Sequence, residues 1–413
     1  MRILFLNPTG RIGGAENSLL DVIASLRRAA PEWSLGLVVG SDGPLIGRAR
    51  EFGVDVRALP YPTALAVLGD SAASGSSQLL HKAAHFGALL QAAPSTVRYA
   101  RLLRSEIARF RPDVIHTNGF KMHILGVRAG AARVPVLWHV RDYVARRLVM
   151  ARLLRWHDRL VAGILANSMS VAEDAGRICR RTRIHVVYNG IDTDHFRPDG
   201  PTLDLDRLAN LARPEPGTVR VGLIGTLARW KGHLPFLKAI SMVAPSVSVR
   251  AYVIGDAVYE TTGSQWTLAE LRHSAHELGL ADRVGFTGFA SDVASAARSL
   301  DVVVHASTEP EPFGRVIVEG MACGRAVIAS SAGGVTETVA DAVNGLLHTP
   351  GDANALATCI TKLASDAELR KKLGAAARIT VVERFDRKRL AEQLIPIYRA
   401  AALSAEGRAG RPA

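Results

Sequence analysis

The chain has 413 residues, 48% hydrophobic and 22% charged, too many for one ordinary core and enough for two domains of about 150–200 residues each. Cys179, Cys323 and Cys359 are too scattered for a disulfide framework or a metal-ligand cluster, which favours a reducing compartment. The net charge of +13 leans on residues 98–159, where 14 basic side chains, nearly all arginine, face 4 acidic ones.

The opening "MRILFLNPTG" is one strand's worth of apolar residues, too short for the apolar core of a signal peptide. No window reaches the ~18 uninterrupted apolar residues of a spanning helix. The expectation is a cytoplasmic protein, soluble or peripheral on the inner face of the cell membrane. "RILFLN" (2–7) predicts a buried strand, followed by the loop "PTGRIGGAE" and an amphipathic helix "NSLLDVIASLRRA". Further strands are predicted at 34–40, 54–60, 112–118, 135–140 and 163–168, most of them separated by helices. "GDSAASGSS" (69–77) is the only low-complexity stretch. After the Pro- and Gly-rich "RPEPGTVR" (213–220) the pattern restarts, with strands at 221–227, 249–256, 283–289, 301–307 and 325–331. Apolar runs alternating with helices indicate parallel sheets covered on both faces.

The expected architecture is two doubly wound α/β domains, residues 1–190 and 191–385, facing each other across a cleft. A last helix (386–403) crosses back onto the first domain, and 404–413 form a tail. Ligands of such sheets lie outside the carboxyl ends of the strands.

"TEPEPFGRVIVEG" (308–320) sits at one such end. Glu311 precedes a helix expected to open near Phe313, and Glu319 lies about two turns inside it. Gly314 lets the backbone approach a ligand, and the free N–H groups of the first turn favour an anion or hydroxyls. Carboxylates accept from neighbouring hydroxyls, as acidic residues do on ribose diols. Two carboxylates flanking an anion site suit a ligand with polyol ends and phosphates between them, which is the layout of a nucleotide sugar. The bland alternative is a glutamate complementing a helix N-terminus and another on a solvated face.

The segment from Glu311 through Glu319 to Gly320-Met-Ala-Cys-Gly resembles the E-x7-E motif of family 4 retaining glycosyltransferases of GT-B fold. "GGAE" (13–16), "ANS" (166–168), "VVYNGIDTDHFRP" (186–198), "GFASDVA" (288–294) and "SAGGVTETVADAVNGLL" (331–347) occur in that family's order and cover most of the chain. The resemblance implies that Glu319 binds the donor ribose and that Glu311, with the backbone of Phe313 and Gly314, holds the transferred sugar. It places Arg315 among the donor-binding residues, and Gly13 and Gly14 where a loop approaches the donor phosphates. His116, in "DVIHTN", would be the histidine beside the reacting sugar, and Lys231, in "ARWKGH", the cation on the diphosphate. The family commonly has Gly-Arg-Leu where this chain has Gly225-Thr226-Leu227. Thr226 therefore stands in for one diphosphate cation, and Arg229 is the expected substitute.

The implied activity is retaining transfer from a UDP- or GDP-sugar to a hydroxyl of a glycan or lipid-linked acceptor, as in bacterial polysaccharide or glycoconjugate synthesis. No cofactor or metal is expected. Asp192-Thr-Asp194 spells a metal-binding D-x-D but sits at the hinge, and His81 with His85 has no third ligand. A nucleotide-sugar 2-epimerase of the same fold and a non-catalytic GT-B scaffold are the alternatives. The arginine stretch 98–159 reads either as solvated helix faces or as contact with an anionic membrane surface or lipid diphosphate. Nucleic acid is not expected, since no aromatic interleaving or zinc module accompanies the charge.

Overall fold

The computed structural model describes residues 1–62, 95–130, 134–257 and 263–409. The chain divides into two compact units, Met1–Gly190 with Arg387–Ala413, and Ile191–Asp386.

In the first unit the strands are β1 (Arg2–Asn7), β2 (Ser34–Val39), β3 (Asp55–Ala58), β4 (Val114–Asn118), β5 (Val136–Val140), β6 (Gly163–Ala166) and β7 (Ile184–Val186). They form one parallel sheet in the order β3-β2-β1-β4-β5-β6-β7. Alternation along β1 feeds two cores. Ile3 and Phe5 join Leu19, Ile23 and Leu37 on one face, while Leu4 and Leu6 join Tyr99, Ile115 and Trp138 on the other. Both faces are buried, which is why these strands read as continuous apolar runs. The final helix, Leu390–Ala409, belongs to this unit and seats Leu390, Leu394 and Tyr398 in the first of those cores. It continues past residue 404, where the sequence reading starts a tail.

The second unit contains β8 (Val219–Ile224), β9 (Val249–Ile254), β10 (Val284–Gly288), β11 (Val302–His305), β12 (Ala326–Ser330) and β13 (Leu346–His348). The parallel order is β10-β9-β8-β11-β12-β13. Strands β7 and β13 were not expected. Each is three residues long at a sheet edge, too short for an apolar run to register.

Strand order reverses between β1 and β4 in one sheet and between β8 and β11 in the other. A crevice opens at such a switch point, at the carboxyl ends of the strands. Gly13 and Gly14 follow β1 and His116 lies on β4. Thr226 to Lys231 follow β8 and Glu311 follows β11.

Candidate functional site

In the second unit, the loops after β8 and β11 are clasped together. Thr308 donates its backbone N–H to the Trp230 carbonyl at 2.8 Å. Gly232 has φ +78° and lies so close to Ala306 that an added Cβ would fall 1.8 Å from that carbonyl oxygen. Only glycine fits this crossing. It ends the short turn Arg229–Lys231 and brings Lys231 beside Glu311, 80 positions away in sequence.

Lys231 Nζ donates to Glu311 Oε2 at 2.9 Å. The same oxygen lies 3.2 Å from Ser307 Oγ and 3.3 Å from His305 Nε2, while Ser330 Oγ sits 3.2 Å from the other ring nitrogen of His305. Burial pushes the Glu311 carboxyl up, but the Lys231 ammonium and His305 outweigh it and hold the group well below the usual carboxylate range. A buried carboxylate is thus kept ionised by the Lys231 ammonium and a small polar shell. Sequence reasoning missed His305, Ser307 and Ser330. The "HAS" (305–307) that starts at the last residue of β11 was the available signal for the first two, but it reads equally well as the end of a strand.

The helix opens at Arg315 rather than near Phe313, because Gly314 takes the left-handed N-cap conformation at φ +80°. The Phe313 side chain is buried against Phe385, ring centroids 5.7 Å apart; the packed ring anchors the backbone that precedes the helix. Glu319 is buried in the second turn and accepts from Arg315 Nε at 2.7 Å. The Glu311 carbonyl takes the N–H of Gly334 at 2.8 Å, so the "SAGGVTE" loop is tied to the same point.

Arg229 does not join this cluster. Its guanidinium lies 3.7 Å over the Trp266 ring, donates to the Gly263 carbonyl at 2.9 Å and pairs with Glu270 at 3.5 Å. The expected substitution for the missing arginine is not made in this conformation, because stacking and a carboxylate lead the side chain the other way. Thr226 leaves its hydroxyl buried without a hydrogen-bond partner among the described residues.

In the first unit, Glu16 of "GGAE" is buried and folds back on its own loop. It accepts from the Gly13 N–H at 3.1 Å and from Asn7 Nδ2 at 3.2 Å, and burial raises its carboxyl above the usual value. Among the described residues a Cβ on Gly14 would meet nothing within 4 Å, so none of them demands glycine there.

His116 is not where the resemblance puts it. The side chain is fully buried on β4, with Nδ1 2.7 Å from Tyr398 Oη and Nε2 3.0 Å from His139 Nδ1. Arg141 Nη2 also points at His139 Nδ1, at 3.1 Å. Because a guanidinium can only donate, His139 Nδ1 is an acceptor. It follows that His116 Nε2 carries the proton given to His139, and that Tyr398 donates to His116 Nδ1. Burial first, and then the Arg141 charge, push the His116 ring well below the ordinary histidine value. His116 is a neutral link in a core chain, unable to touch a sugar. The group that the chain orients is Arg141, which also donates to Asn118 at 3.3 Å and to Asn189.

Asp192 Oδ1 accepts the backbone N–H groups of Asp194 and His195, a turn geometry. Among the described residues no three His, Cys, Asp or Glu side chains are grouped to hold a metal ion. His81, His85 and the stretch 69–77 lie outside the described residues. Among the described residues no helix is long and apolar enough to cross a membrane.

Residues 12–195 match the family model described as Glycosyltransferase Family 4, and residues 213–380 match Glycosyl transferases group 1. A D-inositol 3-phosphate glycosyltransferase of Xylanimonas cellulosilytica is 32% identical over 301 residues, covering 70% of this chain and 67% of its own length. The sulfoquinovosyl transferase SQD2 of Arabidopsis thaliana is 28% identical over 308 residues, 70% of this chain and 57% of its own. The chain thus spans a little over half to two thirds of the length of these relatives. The crystal structure of Anabaena HepE with UDP and glucose is similar at TM-score 0.77 and 27% identity, over 97% of this chain and 100% of that one. With its two parallel sheets, the chain has the GT-B fold.

Proposed function

As the chain belongs to glycosyltransferase family 4, we propose that it transfers a sugar from a nucleotide-sugar donor to a hydroxyl of a glycan or lipid-linked acceptor, with retention of anomeric configuration. The observation that carries this reading is the buried Lys231–Glu311 pair beside the helix N-terminus at Gly314. UDP is the nucleotide to test first, because HepE is similar to this chain and was solved with UDP and glucose.

Glu319, steadied by Arg315, takes the ribose hydroxyls. Glu311 and the backbone at Phe313 and Gly314 hold the sugar. The acceptor oxygen bonds to the anomeric carbon on the face the leaving group departs from. As the carbon–oxygen bond to the phosphate breaks, the acceptor proton passes to the departing phosphate oxygen. Lys231 supplies positive charge where negative charge develops. Positioning and electrostatics carry the step. His116 acts only as a positioning residue, through His139 on Arg141.

Calorimetry of UDP, GDP, ADP and dTDP, with and without magnesium, against wild type and Glu319→Ala tests the reading. One tight nucleotide, lost in the variant and indifferent to magnesium, supports it; no binding of any nucleotide overturns it. An NMR time course with the matching UDP-sugar and no acceptor separates transfer from epimerisation, which needs no second substrate.

A further inference from the structure

The helix Leu148–His157, sequence LVMARLLRWH, carries apolar residues on the face it turns to solvent. Ala151, Leu154 and His157 are buried. On the opposite side Leu148 is 72% exposed, Val149 65% and Trp156 62%. Arg152 and Arg155 share that stripe, which spans about 120° at 3.6 residues per turn. Arg159 and Leu160, both exposed, extend it through the short turn that follows.

Arg152, Arg155, Trp156 and Arg159 line an open hollow of about 580 Å³ together with Arg180 and Arg181. Asp158 also borders the hollow, but it is 2% exposed and its carboxylate is taken by the backbone N–H groups of Arg181 at 2.8 Å and Thr182 at 3.1 Å. None of the five guanidinium groups has a carboxylate partner among the described residues. Trp156 is flanked by Arg128, whose guanidinium carbon lies 5.4 Å from the ring centroid. A stripe of leucine, valine and tryptophan interleaved with unpaired arginines matches the composition of a helix lying in a membrane interface.

We infer that this face docks on an anionic lipid bilayer, with Leu148, Val149, Trp156 and Leu160 in the acyl boundary and the arginines on headgroup phosphates. The sequence indicated only a broad basic stretch, of which Arg133 lies outside the described residues. The fold narrows it to one helix face and adds Arg180 and Arg181 from the loop beside it. A soluble polyanion would satisfy the arginines but leave the apolar residues without a role. The inference is independent of sugar transfer.

The test is co-sedimentation of the full chain with phosphatidylcholine vesicles, with and without phosphatidylglycerol, at low and high salt. Wild type should sediment only with the anionic vesicles and be released by salt. Arg152→Gln/Arg155→Gln/Arg159→Gln should weaken partitioning roughly 100-fold, and Leu148→Ser/Val149→Ser/Trp156→Ser by on the order of 10-fold or more. All these side chains are exposed, so thermal melts should match wild type and show that both variants fold. Failure of wild type to bind anionic vesicles overturns the inference. So does undiminished binding by the serine variant, which would mark a general polyanion surface.

Discussion

Lys231→Met removes the ammonium that keeps Glu311 ionised. The pair is close, at 2.9 Å, and the two side chains retain 18% and 13% exposure. Breaking a buried pair by deleting one partner costs about 3–5 kcal/mol, and the residual exposure argues for about 2–4 kcal/mol here. The cost depends on pH in a direction that can be worked out. In wild type the Glu311 carboxyl lies below its ordinary value of 4.5. The stability it contributes is therefore complete above that value and declines as pH falls toward the folded value. Without Lys231 its lowering charge and hydrogen bond are gone, and the folded carboxyl moves up from its wild-type position. Relative to wild type the variant then gains stability as pH falls, because its folded state takes up the proton more readily. The difference between wild type and Lys231→Met should be largest near pH 7 and shrink toward pH 4. Urea unfolding at steps between those limits measures it, and Lys231→Met/Glu311→Gln at pH 7 should recover part of the loss. A loss below about 1 kcal/mol, or one that does not change with pH, would refute the claim that Lys231 compensates a buried carboxylate.

Glu319→Ala should lower nucleotide affinity at least about 10-fold by removing a charged hydrogen-bond acceptor, whereas Glu311→Gln should reduce turnover more than affinity; the calorimetric and steady-state constants separate the two. Gly232→Ala forces a side chain into φ +78° and against the Ala306 carbonyl. It should cost on the order of 3 kcal/mol in thermal or urea unfolding and abolish nucleotide binding, and a stable, binding-competent variant would contradict the crossing described. Tyr398→Phe strands the buried His116 Nδ1 and should cost about 1–3 kcal/mol. If instead His116 faced the sugar, stability would be untouched and only turnover would fall.

Local pattern was enough for much of this protein. Buried parallel strands announce themselves as apolar runs, so "RILFLN", "DVIHTN" and "DVVVHAS" mark strand positions without reference to anything distant. The segment from Glu311 to Glu319 is equally local, since its turn, helix start and carboxylates lie within nine consecutive residues. Pattern failed where an outcome depends on a neighbour far along the chain. His116 stands in a motif that resembles a ligand-facing one, yet Tyr398, 282 residues away, and His139 close over both ring nitrogens. Arg229 was two residues from the right lysine, but Trp266 on a later loop and Glu270 in the helix that follows it decide its direction. The outward leucine, valine and tryptophan of helix 148–157 look like core residues until the sheet fixes which face is inward. Lys231 and Glu311 meet because β8 and β11 are neighbours at the switch point and Gly232 lets their loops cross at contact distance. A sequence states which groups are available and the local backbone they prefer. Which of them become partners depends on the packing of strands distant in the chain, and here that packing decides the charge state of the central carboxylate.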